Sequence, residues 1–495
     1  MLSRRAFLLS VLAALATLST GARSQGPSAD TGGQSDSPTV LRLERRTIEV
    51  NRKPAPVFGI RQPDGTFGLR TEMGRRFRVR VENRIEKPSL IHWHGLTPPW
   101  RQDGVPGVSG PPIPAGEDAD YDFPLHFGGT FWMHSHQGLQ EQLMMAAPLI
   151  VRDQRDQPGQ QEIVLMLADF SFTPPEQIFA ELRRGKVASA SQTSRRIVVA
   201  TNSKRTSRAG DGKASSMRPM SGGAAKPDLN DVKYDAFLAN DRTLDDPEVI
   251  KVEPGGRVLL RVINSSAMSA FHVDLGRLKG RLIAVDGFRI EPVVARRFPL
   301  AVAQRLDIQL DMPRTPATSP VLAVLEGERK QTGIILRAGD APVARIPSEA
   351  DRASSALTLD LEGRLRAAEP LTRRTADRVH TLNLTGEMAG YVWSINNVVW
   401  SKNTPPLPIA NGERVELILV NQTMMPHPMH LHGHEFQVVE IDGIRFAGAV
   451  RDTVLVPPGR RVVIAFDANN PGLWAFHCHL LYHLEAGMFT TLRYV

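Results

Sequence analysis

Three segments of the chain repeat one pattern, and this repeat limits the folds that are open to it. Each segment begins with a turn glycine, carries a charged residue, continues with strand-like alternation and ends at an asparagine. The segments are residues 74–83 (GRRFRVRVEN), 255–264 (GGRVLLRVIN) and 412–421 (GERVELILVN). Strands of this kind, bounded by turn signals and recurring with few helical stretches between them, indicate β-sandwich domains. The sequence therefore predicts an all-β protein with three copies of one sandwich.

The length of the chain agrees with this division. A chain of 495 residues is too long for a single core and suits about three domains. The repeat places these domains at residues 38–155, 160–345 and 350–495.

Paired histidines follow the repeat in its first and third copies only. Nine residues after the closing asparagine, these copies carry a His-x-His-Gly motif, whereas the middle copy has Phe271-His272-Val273-Asp274. The two motifs are HWHG (92–95) and HLHG (430–433). The middle copy has kept the strand and lost the paired ligands.

A second block also repeats between the first and third copies. A proline-glycine turn is followed, 18 residues after its glycine, by another His-x-His pair. Residues 113–116 (IPAG) lead to HSH at 134–136, and residues 456–459 (VPPG) lead to HCH at 477–479. Ser135 therefore takes the place of Cys478, so that only the third copy can build a site that needs a thiolate.

The four pairs indicate metal centres. Alternate side chains of a strand share one face, so each pair presents both imidazoles together. The eight histidines can hold three metal ions, with three, three and two ligands each. Imidazole-only ligation suits copper, and zinc is the alternative. These histidines are His92, His94, His134, His136, His430, His432, His477 and His479.

Cys478 is the only cysteine of the chain, and its surroundings point to a blue-copper site. His483 and Met488 follow it by five and ten residues, which supplies three of the four ligands of such a site. His427 is the natural fourth ligand, because the next His-x-His pair leaves it on the cysteine side. The histidines on either side of Cys478 point away from it and can serve a second centre. A small buried cysteine among chance histidines is the alternative interpretation.

The N-terminus predicts export. Arg4 and Arg5 precede a short apolar run that ends near Thr20, which is typical of a Tat-type signal peptide at residues 1–24, with an ordinary Sec signal as the alternative. No later stretch reaches the length of a membrane span. We therefore expect a periplasmic, soluble protein delivered by the Tat machinery. With one cysteine it has no internal disulfide.

The positive net charge of +8 comes from one segment, residues 182–226. This segment holds eleven Lys and Arg residues against one acidic residue, Asp211. It is rich in Ser, Gly and Ala, which favours a flexible, solvated insertion over a polyanion-binding arm. It has almost no aromatic side chains to stack on bases, and no nucleic-acid partner is expected.

With these motifs the chain resembles the multicopper oxidases, a family that includes laccases, cuprous oxidases and copper-resistance proteins of the CopA type. The resemblance covers most of the mature chain. It rests on HWHG (92–95), HSH (134–136), HPMHLH (427–432) and HCHLLYHLEAGM (477–488). The resemblance implies three consecutive cupredoxin-like Greek-key β-sandwich domains and four copper ions.

The resemblance also implies which residues bind each copper. The type 1 ligands are His427, Cys478, His483 and the axial Met488. The type 2 ligands are His92 and His430. The type 3 pair takes His94, His134, His136, His432, His477 and His479.

The implied reaction couples four one-electron oxidations of a reducing substrate to the reduction of O₂ to water. Electrons would enter at an exposed edge of His427 or His483 and pass through Cys478. Asp103 matches the family's proton-relay position, with a turn residue in an Asp-Gly pair as the alternative. Glu485 matches the fungal-type HLEAG motif, with a structural role as the alternative.

Two classes of substrate fit this resemblance. The first is phenols and aryl amines, as for a laccase, and the alternative is Cu(I) in periplasmic copper tolerance. An axial methionine suggests a low-to-middle potential, which suits phenols or Cu(I). Met424, Met425 and Met429 flank His427 and either bind Cu(I) or pack the core. A non-catalytic scaffold is disfavoured because all twelve ligands are present, and a nitrite reductase because four histidine pairs exceed its needs.

Overall fold

Six β-sheets, arranged as three successive pairs, make up the structure, a computed structural model that describes residues 37–155, 159–185 and 229–495. The strands of the first pair are β1 (Thr39–Val50), β2 (Lys53–Arg61), β3 (Leu69–Glu72), β4 (Arg76–Asn83), β5 (Ile91–His94), β6 (Asp118–Pro124), β7 (Gly129–Ser135) and β8 (Ala146–Arg152).

The second pair of sheets follows directly. Its strands are β9 (Gln160–Phe170), β10 (Ala236–Ala239), β11 (Val249–Val252), β12 (Arg257–Asn264), β13 (Phe271–Asp274), β14 (Gly280–Val285), β15 (Phe288–Ala295), β16 (Arg297–Leu300), β17 (Arg305–Asp311), β18 (Ala317–Leu325) and β19 (Gln331–Ala338).

The third pair completes the chain. Its strands are β20 (Arg378–Glu387), β21 (Val392–Ile395), β22 (Leu407–Ile409), β23 (Arg414–Asn421), β24 (His427–Leu431), β25 (Phe436–Ile441), β26 (Ile444–Arg445), β27 (Val450–Arg451), β28 (Thr453–Val456), β29 (Arg461–Asp467), β30 (Leu473–Cys478) and β31 (Phe489–Tyr494). The described helices are α1 (Pro175–Arg184), α2 (Leu481–Glu485) and single 3₁₀ turns at Trp100–Gln102 and Glu362–Arg364.

The three sandwiches share one topology. The strands of the sequence repeat are β4, β12 and β23, and each pairs in parallel with the first strand of its sandwich and antiparallel with a later one. The facing sheet of each sandwich also contains one parallel pair: β3 with β8, β11 with β19, and β22 with β31. The prediction of an all-β chain of three sandwiches is confirmed, while its domain boundaries remain predictions.

Alternation along the repeated strands places their apolar side chains in the core. In β4, Phe77, Val79 and Val81 are buried and the intervening residues are partly exposed, as expected for a strand with one face in the core. Phe77 packs edge-on against Trp93 of the HWHG motif, with the ring centroids 4.8 Å apart. Burial of each such side chain contributes about 1.5–3 kcal/mol. The core thus fixes the strand that carries the first histidine pair.

The closing asparagine of each repeat has the same structural role. Asn83, Asn264 and Asn421 are buried, and each side-chain amide donates hydrogen bonds to backbone carbonyls of two separate segments. In the third sandwich, Asn421 Nδ2 donates to Met425 O at 2.7 Å and to Val456 O at 2.8 Å. This asparagine therefore ties the segment that precedes His427 to the core.

The predicted basic insertion is described only at its start. Residues 182–184 form the last turn of α1, which has proline at its first position and buries Pro175 and Ile178. Residues 186–226 of the insertion, and the predicted signal peptide at 1–24, lie outside the described residues. None of the described helices is long and apolar enough to cross a bilayer.

Candidate metal centre

Antiparallel pairing brings the predicted ligands opposite each other within two sheets. In the first sandwich, β5 pairs with β7 so that His92 lies opposite His134. In the third, β24 pairs with β30 so that His430 lies opposite His477. The first and third sandwiches therefore each present four histidines, and strand register sets the spacing of one opposed pair in each.

The two sets of four histidines meet and form three groups of convergent ring nitrogens. The nitrogens of each group lie within 4.8 Å of one another, and every group takes residues from both the first and the third sandwich. The groups are His92, His94 and His430; His94, His134 and His479; and His136, His432 and His477. All eight histidines named from the sequence are brought together.

In the group of His94, His134 and His479, one ring nitrogen of each residue is buried without a hydrogen-bond partner. These atoms are His94 Nδ1, His134 Nε2 and His479 Nε2. A buried polar atom without a partner is costly, and three that converge on one point are accounted for by a bound metal ion. The donor set therefore fits the copper that the sequence predicts.

Carboxylates fix which nitrogen of each ring is free. His94 Nε2 donates to Asp452 Oδ1 at 3.1 Å, whereas His134 Nδ1 lies 2.8 Å from Glu141 Oε2. His94 must consequently present Nδ1 to a metal, while His134 presents Nε2.

Asp103 connects the remaining rings. Its backbone oxygen accepts from His92 Nδ1 at 2.9 Å, and its Oδ2 accepts from His432 Nδ1 at 2.9 Å. Asp103 is fully buried, at 0% exposure, and its carboxylate lies within 4.8 Å of ring nitrogens of both histidines. Asp103 therefore orients two of the histidines, besides being part of a turn.

In the group of His136, His432 and His477, the Nε2 atoms lie close together. His136 Nε2 lies 3.3 Å and His432 Nε2 2.9 Å from His477 Nε2. The other nitrogen of His477, Nδ1, donates to the backbone oxygen of Cys478 at 3.0 Å. Three Nε2 lone pairs thus face one position. Such lone pairs repel one another, and a bound cation would hold them together.

A fourth group surrounds the single cysteine. Cys478 Sγ lies 3.5 Å from His427 Nδ1 and 3.8 Å from His483 Nδ1, and the two Nδ1 atoms are 3.2 Å apart. All three side chains are fully buried. Met488 is also buried, and its backbone oxygen accepts from Cys478 N at 3.1 Å, which keeps it beside the group.

Polar partners cover the outer edges of the two histidines in this group. His427 Nε2 donates to Thr423 Oγ1 at 2.8 Å, and His483 Nε2 donates to Asp231 Oδ2 at 3.0 Å. Trp393 stacks on His483 with the ring centroids 4.0 Å apart. The expectation of an exposed imidazole edge is therefore wrong, because both edges are occupied by neighbouring side chains.

Burial also sets the protonation of the ligands. It lowers the pKa of most of these imidazoles well below the ordinary value, so that they are neutral and carry a free lone pair. The imidazoles with lowered pKa are those of His94, His134, His136, His427, His432, His477 and His479. Burial raises the pKa of the Cys478 thiol, so that a thiolate there needs a bound cation.

The backbone at Cys478 joins the cysteine group to the histidine groups. His477 and His479, on either side of it, belong to different groups: one with His136 and His432, the other with His94 and His134. A single peptide unit therefore separates Cys478 from a histidine of each of two further groups. This arrangement suits electron transfer between centres.

Several residues of the centre are absent from the sequence prediction, and one predicted residue lies elsewhere. Asp452, Glu141, Asp231 and Thr423 all contact ligands, although only Thr423 and Glu141 lie near a histidine in sequence, four residues before His427 and seven after His134. Glu485 is exposed at the end of α2 and is not part of any metal-binding group among the described residues.

The comparisons with known proteins agree with this centre. Profiles of the multicopper oxidase family match residues 44–156, 163–333 and 373–495. Multicopper oxidase MmcO of Mycobacterium tuberculosis is 30% identical over 442 residues, covering 86% of this chain and 81% of MmcO. A copper resistance protein A homolog of Pseudomonas syringae pv. tomato is 27% identical, covering 86% of this chain and 87% of that protein.

A solved structure shows the same fold. Fet3p, a multicopper oxidase that functions in iron import, superimposes with a TM-score of 0.73 at 19% identity, over 92% of this chain and 90% of that one. At this identity the likeness concerns the cupredoxin fold alone. The chain therefore belongs to the multicopper oxidase family of copper-dependent oxidoreductases that use O₂ as acceptor, as shown by the three profile matches and the extent of the likeness to MmcO.

Proposed function

We propose that this protein is an exported, periplasmic multicopper oxidase that oxidises Cu(I) and reduces O₂ to water. The observation that carries the choice of Cu(I) is a small cavity that Asp231 connects to His483, and whose otherwise apolar lining includes two thioethers and two carboxyls. These are Met268, Met425, Asp231 and Glu326. Thioethers prefer Cu(I), and carboxylates are better ligands for the Cu(II) product.

Four copper ions would be held by the twelve ligands named from the sequence. His427, Cys478, His483 and Met488 would hold the type 1 ion, and His92 with His430 the type 2 ion. The type 3 pair would be held by His136, His432 and His477 on one side and by His94, His134 and His479 on the other. When bound, these ions supply the one-electron redox chemistry that couples donor oxidation to O₂ reduction.

The cavity is connected to the cysteine group by one side chain. Asp231 Oδ2 accepts from His483 Nε2, while Asp231 Oδ1 is buried without a hydrogen-bond partner. A cation in the cavity would satisfy Oδ1 and would be separated from His483 by a single carboxylate. Asp231 thus has one oxygen for the donor ion and one for the ligand that receives its electron.

The surroundings disfavour a large organic donor. Both histidines of the cysteine group have 0% exposure, and the cavity among the described residues is small. Met424, by contrast, is 61% exposed directly before the buried Met425. A soft ion can be captured at Met424 and passed to Met425 and the cavity.

A laccase-like oxidation of phenols or aryl amines is the second candidate. Asp231 favours it, because a carboxylate at the edge of His483 can accept the proton of a phenolic hydroxyl. Tyr391 shows that the contact is possible, since its hydroxyl donates to Asp231 Oδ2 at 2.6 Å. A phenol would have to displace Tyr391 from this position.

Oxygen uptake by the copper-loaded protein distinguishes the two candidates. We expect faster uptake with Cu(I) than with a phenol, and phenol oxidation only when free copper is added. The double variant Met268→Leu/Met425→Leu should lower kcat/KM for Cu(I) by about tenfold or more and spare any phenol turnover. Met312→Leu, at a buried methionine of the middle sandwich, is the control. Equal loss with both donors, or phenol turnover without added copper, would contradict the Cu(I) assignment.

A further inference from the structure

The middle sandwich has no paired histidines, yet one of its side chains reaches the histidine groups. Arg305, the first residue of β17, is fully buried where the three sandwiches meet. A buried guanidinium is costly unless every donor is satisfied, so its partners indicate why it is there.

The partners of Arg305 come from all three sandwiches. Its Nε donates to Thr130 O at 3.1 Å on β7, the strand that carries His134. Its Nη2 donates to Asp286 O at 2.9 Å in the middle sandwich. Its Nη1 donates to Asp452 Oδ1 at 2.8 Å, and Nη2 donates to Asp452 Oδ2. The guanidinium and this carboxylate thus form a bidentate ion pair.

Asp452 in turn holds two histidines. The oxygen that accepts from Arg305 Nη1, Oδ1, also accepts from His94 Nε2 at 3.1 Å. The backbone oxygen of Asp452 accepts from His430 Nδ1 at 2.9 Å. Arg305 of the middle sandwich thereby fixes Asp452 of the third sandwich, and Asp452 fixes the ring of His94 in the first.

The glycine of the HWHG motif is fitted to this contact. Gly95 has a φ of +91°, and a Cβ at this position would lie 2.6 Å from Arg305 Nη2 and 2.7 Å from Asp452 Oδ2. The corresponding Gly433 of HLHG would instead meet the ring of Trp474, at 2.3 Å. The two motifs are alike in sequence, but only the first makes room for the guanidinium.

We propose that Arg305 is a positioning residue for the histidine centre: through Asp452 it holds His94 with Nε2 as the donor and Nδ1 free for the metal. His134 and His479 complete that group through Nε2, so a flipped or rotated His94 would remove one of three ligands. The middle sandwich, which has no ligand pair of its own, thus controls the geometry of a site formed by the other two.

Two variants test this role. Arg305→Met removes the guanidinium, and Arg305→Lys keeps the charge but cannot form the bidentate ion pair with Asp452. Arg261→Met is the matched control. Arg261 is equally buried in the same sandwich and also contacts Thr130, but it pairs with Asp307 and Glu162.

The readouts are copper bound per protein, the near-ultraviolet absorption of the coupled copper pair, and the blue absorption of the cysteine site as an internal reference. We expect Arg305→Met to lower the copper affinity of the histidine centre by about 10- to 100-fold, Arg305→Lys by less, and the blue absorption to persist in both. Arg261→Met should lose stability and keep all its copper.

Unchanged copper pairing in Arg305→Met would overturn the proposal. An equal copper loss in Arg261→Met would also overturn it, because the effect would then reflect general weakening of the domain contact. If Arg305→Met does not fold, Arg305→Lys decides alone: loss of the near-ultraviolet absorption with a normal unfolding temperature supports the proposal, and a fully normal spectrum contradicts it.

Discussion

His432 donates a hydrogen bond from Nδ1 to Asp103 Oδ2 at 2.9 Å, so that a carboxylate of the first sandwich orients a ligand of the third. The converse contact also exists, because Asp452 of the third sandwich accepts from His94 of the first. The two sandwiches thus supply not only ligands to a shared centre but also the groups that orient each other's ligands. The histidine centre therefore forms only where the first and third sandwiches are in contact.

Replacing the cysteine should separate the two kinds of centre. We expect Cys478→Ser to lose the blue absorption and to reduce oxidase turnover by about 100-fold or more, because a hydroxyl is a poor substitute for a thiolate ligand. The histidine centre should still bind copper, since Cys478 contributes only a backbone oxygen there. Copper analysis combined with optical spectra checks this, and complete loss of copper would contradict separate sites.

The repeated asparagines offer a pair of matched variants. Asn421→Ala and Asn264→Ala should each lower the free energy of unfolding by about 2 kcal/mol or more, because buried carbonyls lose their donors. Only Asn421→Ala should also alter the blue absorption, since Asn421 anchors the segment before His427. Chemical denaturation and absorption spectra of both variants check this. The same spectral change in Asn264→Ala would show that the link to His427 is incorrect.

Two glycines with positive φ separate backbone strain from crowding. Gly412 (φ +84°) has open space at its Cβ position, whereas Gly433 (φ +67°) would press a methyl group onto Trp474. We expect Gly412→Ala to cost about 1 kcal/mol of unfolding free energy. Gly433→Ala should cost about 2 kcal/mol more, because overpacking adds to the strain. Equal costs in denaturant titrations would mean that Trp474 moves aside freely.

A buried carboxyl predicts a pH dependence of stability. Burial raises the pKa of Glu326 to about 7, despite the hydrogen bond from Leu357 N that opposes the shift. The folded protein therefore holds a proton that the unfolded chain releases above its ordinary value of 4.5. The contribution of this proton to the free energy of unfolding is complete below pH 4.5. It is lost as the pH rises to about 7, and the free energy no longer changes through this group at higher pH.

Glu326→Gln should remove this decline in the copper-free protein. We expect equal stability of variant and parent in acid, and a variant more stable by about 3 kcal/mol at pH 8. Glu328→Gln, at a more exposed neighbour, is the control variant. Urea unfolding across the pH range measures the difference, and a parent whose stability does not depend on Glu326 at pH 8 would refute the assignment.

The fold and the grouping of the histidines could be predicted because both leave periodic marks in the sequence. Alternation identifies β4, β12 and β23, and the duplicated spacing identifies the histidine pairs. Asp452, Arg305 and Asp231 have no such mark, since their importance arises from contacts across more than 100 residues. Residues 182–184 of the predicted insertion form the end of α1, a helix that buries Pro175 and Ile178.

The participation of both outer sandwiches in every histidine group has a consequence for biosynthesis. The first four ligands are complete by His136, yet their counterparts reach from His430 to His479, close to the C-terminus. During synthesis, the first counterpart, His430, follows His136 by 294 residues, and the last, His479, follows it by 343. The full set of histidine groups therefore exists only near the end of synthesis, and a polypeptide that stops before β30 lacks His477 and His479.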